Sequence, residues 1–186
     1  MSFEFNGKVA IVTGAGGGLG FAYAQYLAER GANVIVNDLG GGTFGYDGKP
    51  SSKVASAAAD KINALGKGKA IADGHDVSKF ENAQRMVDTA LENWGRIDIV
   101  INNAGIASTG VFPDIDREEI DLHLGVHVMG AVNTMRAAWP HMKKQNYGRI
   151  INTSSDSVLG FSPQTTYPSM KAALIGLSRN AGLLGV

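Results

Sequence analysis

Lys8-Val9-Ala10-Ile11-Val12-Thr13-Gly14-Ala15-Gly16-Gly17-Gly18-Leu19-Gly20 is the stretch from which the fold can be read. Val9 to Val12 form a short unbroken apolar run, the pattern of a strand buried on both faces of a sheet. Five glycines follow among the seven residues from Gly14 to Gly20. From Leu19 the apolar spacing turns helical and continues to Arg30, where Gly31 supplies a stop. Glycine allows a tight turn between strand and helix. It also lets main-chain N–H groups approach an anion at the helix N-terminus, where the dipole favours negative charge.

The same alternation continues outward. Residues 32–38 read as a second strand, followed by a glycine-rich loop over 39–52 and a helix over 53–65 that ends at Gly66. A weaker strand covers 69–73. Ser78 is placed to cap a helix running to Trp94, with Gly95 as its stop. Residues 97–101 form a fourth strand. A long helical stretch over 116–145 opens with Asp116 and Glu119 at capping-box spacing, and Pro140 should kink or divide it. Residues 149–153 form a fifth strand, and a last helix follows. Strands alternating with helices predict an α/β fold, a Rossmann-type doubly wound parallel sheet with helices on both faces. One dinucleotide-binding domain spans 1–186.

Composition narrows the function. The 186 residues suit one domain with a sizeable core. Seventeen basic side chains balance seventeen acidic ones, so no field steers the chain toward nucleic acid or an anionic membrane. No cysteine is present, which excludes thiolate metal sites and a cysteine nucleophile. The histidines His75, His123 and His141 lack metal-ligand spacing, and no metal is expected. The N-terminus lacks signal-peptide regions and no apolar run is long enough to span a membrane, so a soluble, cytoplasmic protein is expected.

Candidate chemistry gathers at the ends of the strands. Gly14, Gly18, Leu19 and Gly20 would cradle a pyrophosphate between strand and helix. Asp38 ends the second strand eighteen residues beyond Gly20, where a carboxylate can accept hydrogen bonds from ribose hydroxyls. Asp38-Leu39-Gly40-Gly41 also suits a simple solvated turn. A carboxylate there repels a 2′-phosphate, and neither Ala15 nor Leu39 is the arginine that would bind one, so NAD is expected rather than NADP. Tyr167 and Lys171 lie four residues apart in the last helix, on one face and one turn apart. By itself that spacing is common, with tyrosine at a core edge and lysine as a solvated tip. An ammonium held near a phenol favours the phenolate, which can exchange protons with an alcohol.

Together, Thr13-Gly14-Ala15-Gly16-Gly17-Gly18-Leu19-Gly20, Asn102-Asn103-Ala104-Gly105 and the Tyr167/Lys171 pair resemble the ordered motifs of the short-chain dehydrogenases/reductases. The resemblance covers essentially the whole chain. Within that family, Val36 to Gly41 and Arg136 to Gln145 look like the (3R)-hydroxyacyl-CoA dehydrogenase units of peroxisomal multifunctional enzyme type 2, which makes a peroxisomal setting a further possibility.

The resemblance implies roles for named residues. Asp76 and Val77 would contact the adenine ring, and Asn103 and Gly105 would lie along the cofactor. Tyr167 would be the general acid/base, and Lys171 would bind the nicotinamide ribose and support the phenolate. A serine would hold the substrate oxygen. Counting forward along the fifth strand gives Ser155, which is preferred because strand register resists slipping. Counting back from Tyr167 by the family's usual spacing gives Ser154, which stays open. Asp156 beside them reads as a solvated loop residue.

His127 stands where the family often has an asparagine that orders a water, and reads as a packed histidine. Family members continue past the last helix with further strands and a substrate-covering loop, so the C-terminal strands are apparently missing and the sheet edge should be uncovered. A homodimer or homotetramer is expected, with Gly130, Ala131, Ala137 and Ala138 permitting close packing. The implied activity interconverts a secondary alcohol and a ketone, with a 3-hydroxyacyl thioester as the favoured substrate class. The alternative is a cofactor-binding, catalytically silent interaction or regulatory subunit.

Overall fold

A computed structural model of the chain describes residues 3–42, 50–160 and 163–185. Part of the glycine-rich loop expected over 39–52, and two residues of the segment between Ser155 and Tyr167, lie outside the described residues. The architecture follows the alternation read above. The elements are β1 (Val9–Thr13), α1 (Gly18–Glu29), β2 (Asn33–Asn37), α2 (Lys53–Asn63), β3 (Ala70–Asp73), α3 (Phe80–Trp94), β4 (Ile99–Asn102), α4 (Arg117–His123), a π-helical segment (Leu124–Met129), α5 (Gly130–Gln145), β5 (Arg149–Asn152), a short 3-10 turn (Asp156–Leu159) and α6 (Thr166–Leu184).

The sheet is wholly parallel in the order β3-β2-β1-β4-β5. β1 is buried at every residue, as its continuous apolar run requires. Successive side chains of a strand point to opposite faces, and two cores result. Ala10 and Val12 join Val34, Val36, Ile99 and Ile101 beneath Ala24, Leu27 and Ala28 of α1 and Ala58 and Ile62 of α2. Val9 and Ile11 join Ile35 and Val100 beneath Met86 and Val87 of α3 and Ala138 and Met142 of α5. β1 has β2 on one side and β4 on the other, so the chain reverses its winding direction there. In an open α/β sheet that point leaves a crevice at the carboxyl ends of the strands, where ligands bind.

Several local expectations are corrected. Pro140 lies inside α5 without dividing it. Ala137, Ala138 and Met142 are all core residues, so packing on either side of Pro140 holds the helix together at a site that costs about 3 kcal/mol in isolation. The break in the long helix comes earlier, at the π-helical Leu124–Met129. Helix α3 starts at Phe80 with Lys79 in the capping position. Ser78 does not cap it: the capping position falls one residue later, with no side-chain cap bond, and the Ser78 N–H donates to the Asp76 carboxylate at 2.8 Å. Asp116 does cap α4, accepting from the Glu119 N–H at 2.8 Å, but the Glu119 side chain turns away from it. Gly130, Ala131, Ala137 and Ala138 are buried within the chain itself, Gly130 against Val77. They are spent on the chain's own core and are not free to pack against another copy. Among the described residues β5 pairs only with β4, and its Ile151 is half exposed, so the expected open edge is present.

Candidate active site

The cleft at the switch point is assembled first from Thr13. Its hydroxyl ends β1 and accepts hydrogen bonds from the N–H groups of Asn103 and Ala104, each at 3.0 Å. The Asn103 amide returns the tie by donating to the carbonyls of Thr13 at 3.1 Å and Gly14 at 3.2 Å. The turns after β1 and β4 are therefore one unit. Gly14 is demanded twice. Its φ is +62°, and a Cβ there would sit 2.8 Å from the Ala104 Cα. Gly20 is buried, and a Cβ on it would run into the Gly14 carbonyl, so its part is to let α1 pack against the turn. Leu19 is largely exposed, and neither it nor Gly20 lines the cleft.

Asp38 follows β2 and takes two main-chain donors, Gly16 N–H on Oδ2 and Gly40 N–H on Oδ1, both at 2.8 Å. It thereby fixes the glycine turn. Each carboxylate oxygen retains accepting capacity, so this tie is compatible with a bound hydroxyl. Beside it lies a network that no motif signalled. The Asp73 carboxylate accepts from the Asn37 amide at 2.6 Å and lies 2.8 Å from the His75 ring Nδ1. Asn37 and Asp73 end neighbouring strands at one level, which becomes apparent only when strand pairing is known. His75, Asp76 and Val77 continue the wall. The cleft has a volume of about 560 Å³ and runs from Gly14 and Gly16 past Asp38 to Gly105 and Val126, within the size range of small-molecule sites.

Tyr167 and Lys171 lie on α6 near the Gly105 end. Lys171 is almost fully buried, with Nζ 5.6 Å from the Tyr167 ring centroid and donating to the Thr153 carbonyl at 2.8 Å. Burial pushes its pKa down from 10.5 to about 8. His127, on the π-helical segment, sets its ring edge-on to Tyr167, with centroids 5.4 Å apart. Its Nε2 lies 2.9 Å from the Ile106 carbonyl and 3.2 Å from the Ile106 N–H, while Nδ1 has no partner among the described residues. Burial first, then the Lys171 charge, lowers the His127 pKa to about 3, outweighing the Ile106 hydrogen bond. The ring is neutral near pH 7.

His123 stacks on His127 at 5.4 Å, and neither of its nitrogens has a partner among the described residues. Burial lowers its pKa as well, against a smaller opposing effect of Glu119. Gly105 makes this crowding possible. A Cβ there would meet His127 Cε1 at 2.7 Å and stand 3.6 Å from Lys171 Nζ.

The serines differ in what they hold. Ser154 Oγ donates to the Lys171 carbonyl at 2.9 Å, joining β5's end to α6. Ser155 caps the 3-10 turn, accepting from Ser157 N–H at 3.2 Å, with Asp156 Oδ1 at 3.3 Å from its hydroxyl. Asp156 is exposed, as read from the sequence. The glycine-rich anion cradle and the acidic strand end line one crevice, whereas Tyr167, Lys171, Ser154 and Ser155 are not among its lining residues; the buried cation beside the phenol stands next to its Gly105 end.

Residues 8–183 match the family model of the short chain dehydrogenases. The chain is 49% identical to peroxisomal multifunctional enzyme type 2 of Mus musculus, over 98% of this chain and 24% of that protein. It is 44% identical to the peroxisomal hydratase-dehydrogenase-epimerase of Neurospora crassa, over 98% of this chain and 20% of that protein. A solved short chain dehydrogenase from Mycobacterium avium superposes with a TM-score of 0.81 at 40% identity, covering 92% of this chain and 63% of that one. The chain thus spans about a quarter of the mouse relative's length and less of the Neurospora one. No helix among the described residues is long and apolar enough to cross a membrane.

Proposed function

The chain belongs to the short-chain dehydrogenase family, and from that premise we propose that it is an NAD-dependent oxidoreductase interconverting a secondary alcohol and a ketone. The observation that carries this reading is the nearly buried Lys171 ammonium beside the Tyr167 ring, adjacent to Gly105, which lines a cleft that begins in a glycine cradle. NAD, when bound, supplies the acceptor for a hydride.

The residues present suit that group. Gly16, Gly17 and Gly18 line the cleft without side chains, the first turn of α1 carries no acidic residue, and its N–H groups have no partner further back in the helix. The described lining contains Asp38 and neither arginine nor lysine, which supports NAD over a cofactor with an added phosphate. Asp76 and Val77 would meet the adenine end, and Asn103 and Gly105 would flank the path toward Tyr167.

Tyr167 takes the hydroxyl proton of the alcohol on its phenol oxygen and returns it in the reverse direction. Lys171 holds a positive charge 5.6 Å from the centre of the Tyr167 ring, which favours the phenolate while the proton is away, in a site where burial strengthens the attraction. Ser155 donates to the substrate oxygen and fixes its distance from the phenol, while Ser154 secures the Lys171 backbone. For substrate we propose a 3-hydroxyacyl thioester. The Neurospora relative's printed name joins a hydratase to a dehydrogenase, and hydration of a double bond yields an alcohol of the class a dehydrogenase oxidises. A peroxisomal setting accords with the printed names of these relatives, and self-association as a dimer or tetramer is part of the proposal, read by light scattering.

The test follows absorbance at 340 nm with NADH or NADPH and a panel of ketones and 3-ketoacyl thioesters. Replacing Tyr167 by Phe should lower kcat by about 10²–10⁴-fold while NADH fluorescence titration gives an affinity within about twofold of wild type. NADH binding without turnover of any ketone would instead describe a silent cofactor-binding subunit.

A further inference from the structure

Glu119 sits in the first turn of α4 and belongs to neither the cleft nor the Tyr167/Lys171 pair. Its side chain does not close a capping box with Asp116. Oε1 accepts the Ser108 hydroxyl at 2.6 Å and the Thr166 hydroxyl at 2.8 Å. Ser108 lies on the loop that leaves β4 after Gly105. Thr166 is buried, is the first residue of α6 and precedes Tyr167 directly. A single carboxylate oxygen therefore joins α4, the post-β4 loop and the backbone that carries the reactive phenol.

A second bond reinforces the same junction, from Phe112 N–H to Thr165 Oγ1 at 3.2 Å. Gly110 leaves room for the Glu119 carboxylate. A Cβ there would sit 2.7 Å from Glu119 Oε2, and no left-handed φ requires glycine at that position. Charge-assisted hydrogen bonds to a carboxylate are short and roughly twice as strong as neutral ones, and these lie in a partly buried setting.

We propose that Glu119 is a positioning residue that fixes the first turn of α6, and with it the Tyr167 phenol, against the loop forming the substrate side of the site. This rests on Tyr167 as the proton-transfer group. The effect runs through Thr166 and Ser108, and Glu119 itself touches no reacting atom. Displacing a reacting group by about 1 Å can cost on the order of 10²-fold in rate.

The experiment compares Glu119→Ala with Glu119→Gln in the full chain. Both hydrogen bonds land on Oε1, so glutamine can keep them while losing the charge. Glu119→Ala should lower kcat between about tenfold and 10²-fold and leave the NADH dissociation constant within about twofold, and Glu119→Gln should restore most of the rate. Amide hydrogen exchange on the cofactor-free proteins needs no turnover. It should quicken over 106–112 and 166–171 in the alanine variant and stay near wild type in the glutamine one. An alanine variant with unchanged exchange in those segments overturns the proposal. So does a glutamine variant as impaired as alanine, which would make the charge and not the placement decisive. Wild-type chain inert toward every ketone, with the exchange pattern as expected, would instead count against the dehydrogenase reading alone.

Discussion

The two ends of the one sheet treat buried charge in opposite ways. At the amino ends of the strands, the Asp98 carboxylate is inaccessible to solvent. It receives both nitrogens of an Arg96 fork at 2.6 and 2.7 Å, Lys8 Nζ at 3.2 Å and the Val9 N–H at 2.9 Å. Burial acts to raise its pKa, but the Arg96, Val9 and Lys8 contacts outweigh it and hold the carboxyl below its ordinary range.

At the carboxyl ends, Lys171, His127 and His123 are as deeply buried with far fewer partners, and each is pushed toward its neutral form. A buried polar group with every partner in place is a structural joint. One that lacks partners costs stability and is retained where a ligand or reaction uses it. The same fold thus shows a polar site built for stability and, at the other end of the same strands, one built at stability's expense.

That contrast is broken most strongly through His127. Its folded pKa of about 3 lies below the ordinary 6.5, so in acid the unfolded chain binds a proton that the folded chain refuses. Stability is full above about pH 6.5 and falls as pH drops toward 3. One pKa unit corresponds to 1.36 kcal/mol, so the whole interval is worth on the order of 5 kcal/mol. Urea unfolding of wild type and His127→Asn at pH 7, 5.5 and 4 should show the gap between them shifting in the variant's favour as pH falls. Parallel pH profiles for the two proteins would mean that His127 is not held neutral.

Next come two substitutions with opposite signs. Asp98→Asn leaves Arg96 and Lys8 around a neutral group and should destabilise by about 3 kcal/mol, in the range for breaking a buried ion pair. Lys171→Met removes a cation whose folded pKa of about 8 lies below the ordinary 10.5. Below pH 8 both folded and unfolded chains carry that proton, so the burial penalty is present in full, and it is relieved only as pH rises from about 8 toward 10.5. The methionine variant should therefore be more stable at pH 7, by up to about 3 kcal/mol less roughly 1 for the lost bond to Thr153, while turnover collapses. In wild type, kcat/KM should decline above about pH 8 as the ammonium is lost. A destabilised Lys171→Met would show that the cation is a structural joint like Asp98, and the contrast would fail.

How far the sequence carried the reading follows from what kind of physics set each feature. β1 and the glycine turn were legible because burial on both faces and backbone approach each leave a one-dimensional pattern in Val9 to Gly20. Asp38 was legible for the same reason, as a strand-end residue at a set distance. Pro140 does not divide its helix, because local propensity is outvoted by core packing on both sides of it, at Ala138 and Met142. Gly130 and Ala131 misled because smallness signals close packing without saying against what. The Asn37–Asp73–His75 network and the Glu119 junction join residues far apart in the chain, and no periodicity records such pairings. The sequence preferred Ser155 by strand register but left Ser154 open, because the choice turned on a loop length. In the structure they separate by partner, Ser154 to the α6 backbone and Ser155 to its own turn.

Asp38 stands between the two kinds of site, and the smallest effect tests which kind it is. Like Asp98 it is provided with partners, holding Gly16 and Gly40 N–H groups. Like Lys171 it lies where a ligand is expected, and it is only half-buried. If it acts purely as a joint for the glycine turn, Asp38→Ala should weaken NAD and NADP equally, because both would lose the same ordered cradle. If it also receives the ribose hydroxyls, the alanine variant should lose about tenfold in NAD affinity, roughly 1.4 kcal/mol, while NADP, no longer repelled, gains or holds. Asp38→Asn separates the two roles further, since its one carbonyl oxygen can keep a main-chain donor but carries no charge to repel a phosphate. Fluorescence titration with both reduced cofactors reads the ratio directly. An unchanged NADH-to-NADPH preference in Asp38→Ala would place Asp38 with Asp98, as architecture alone.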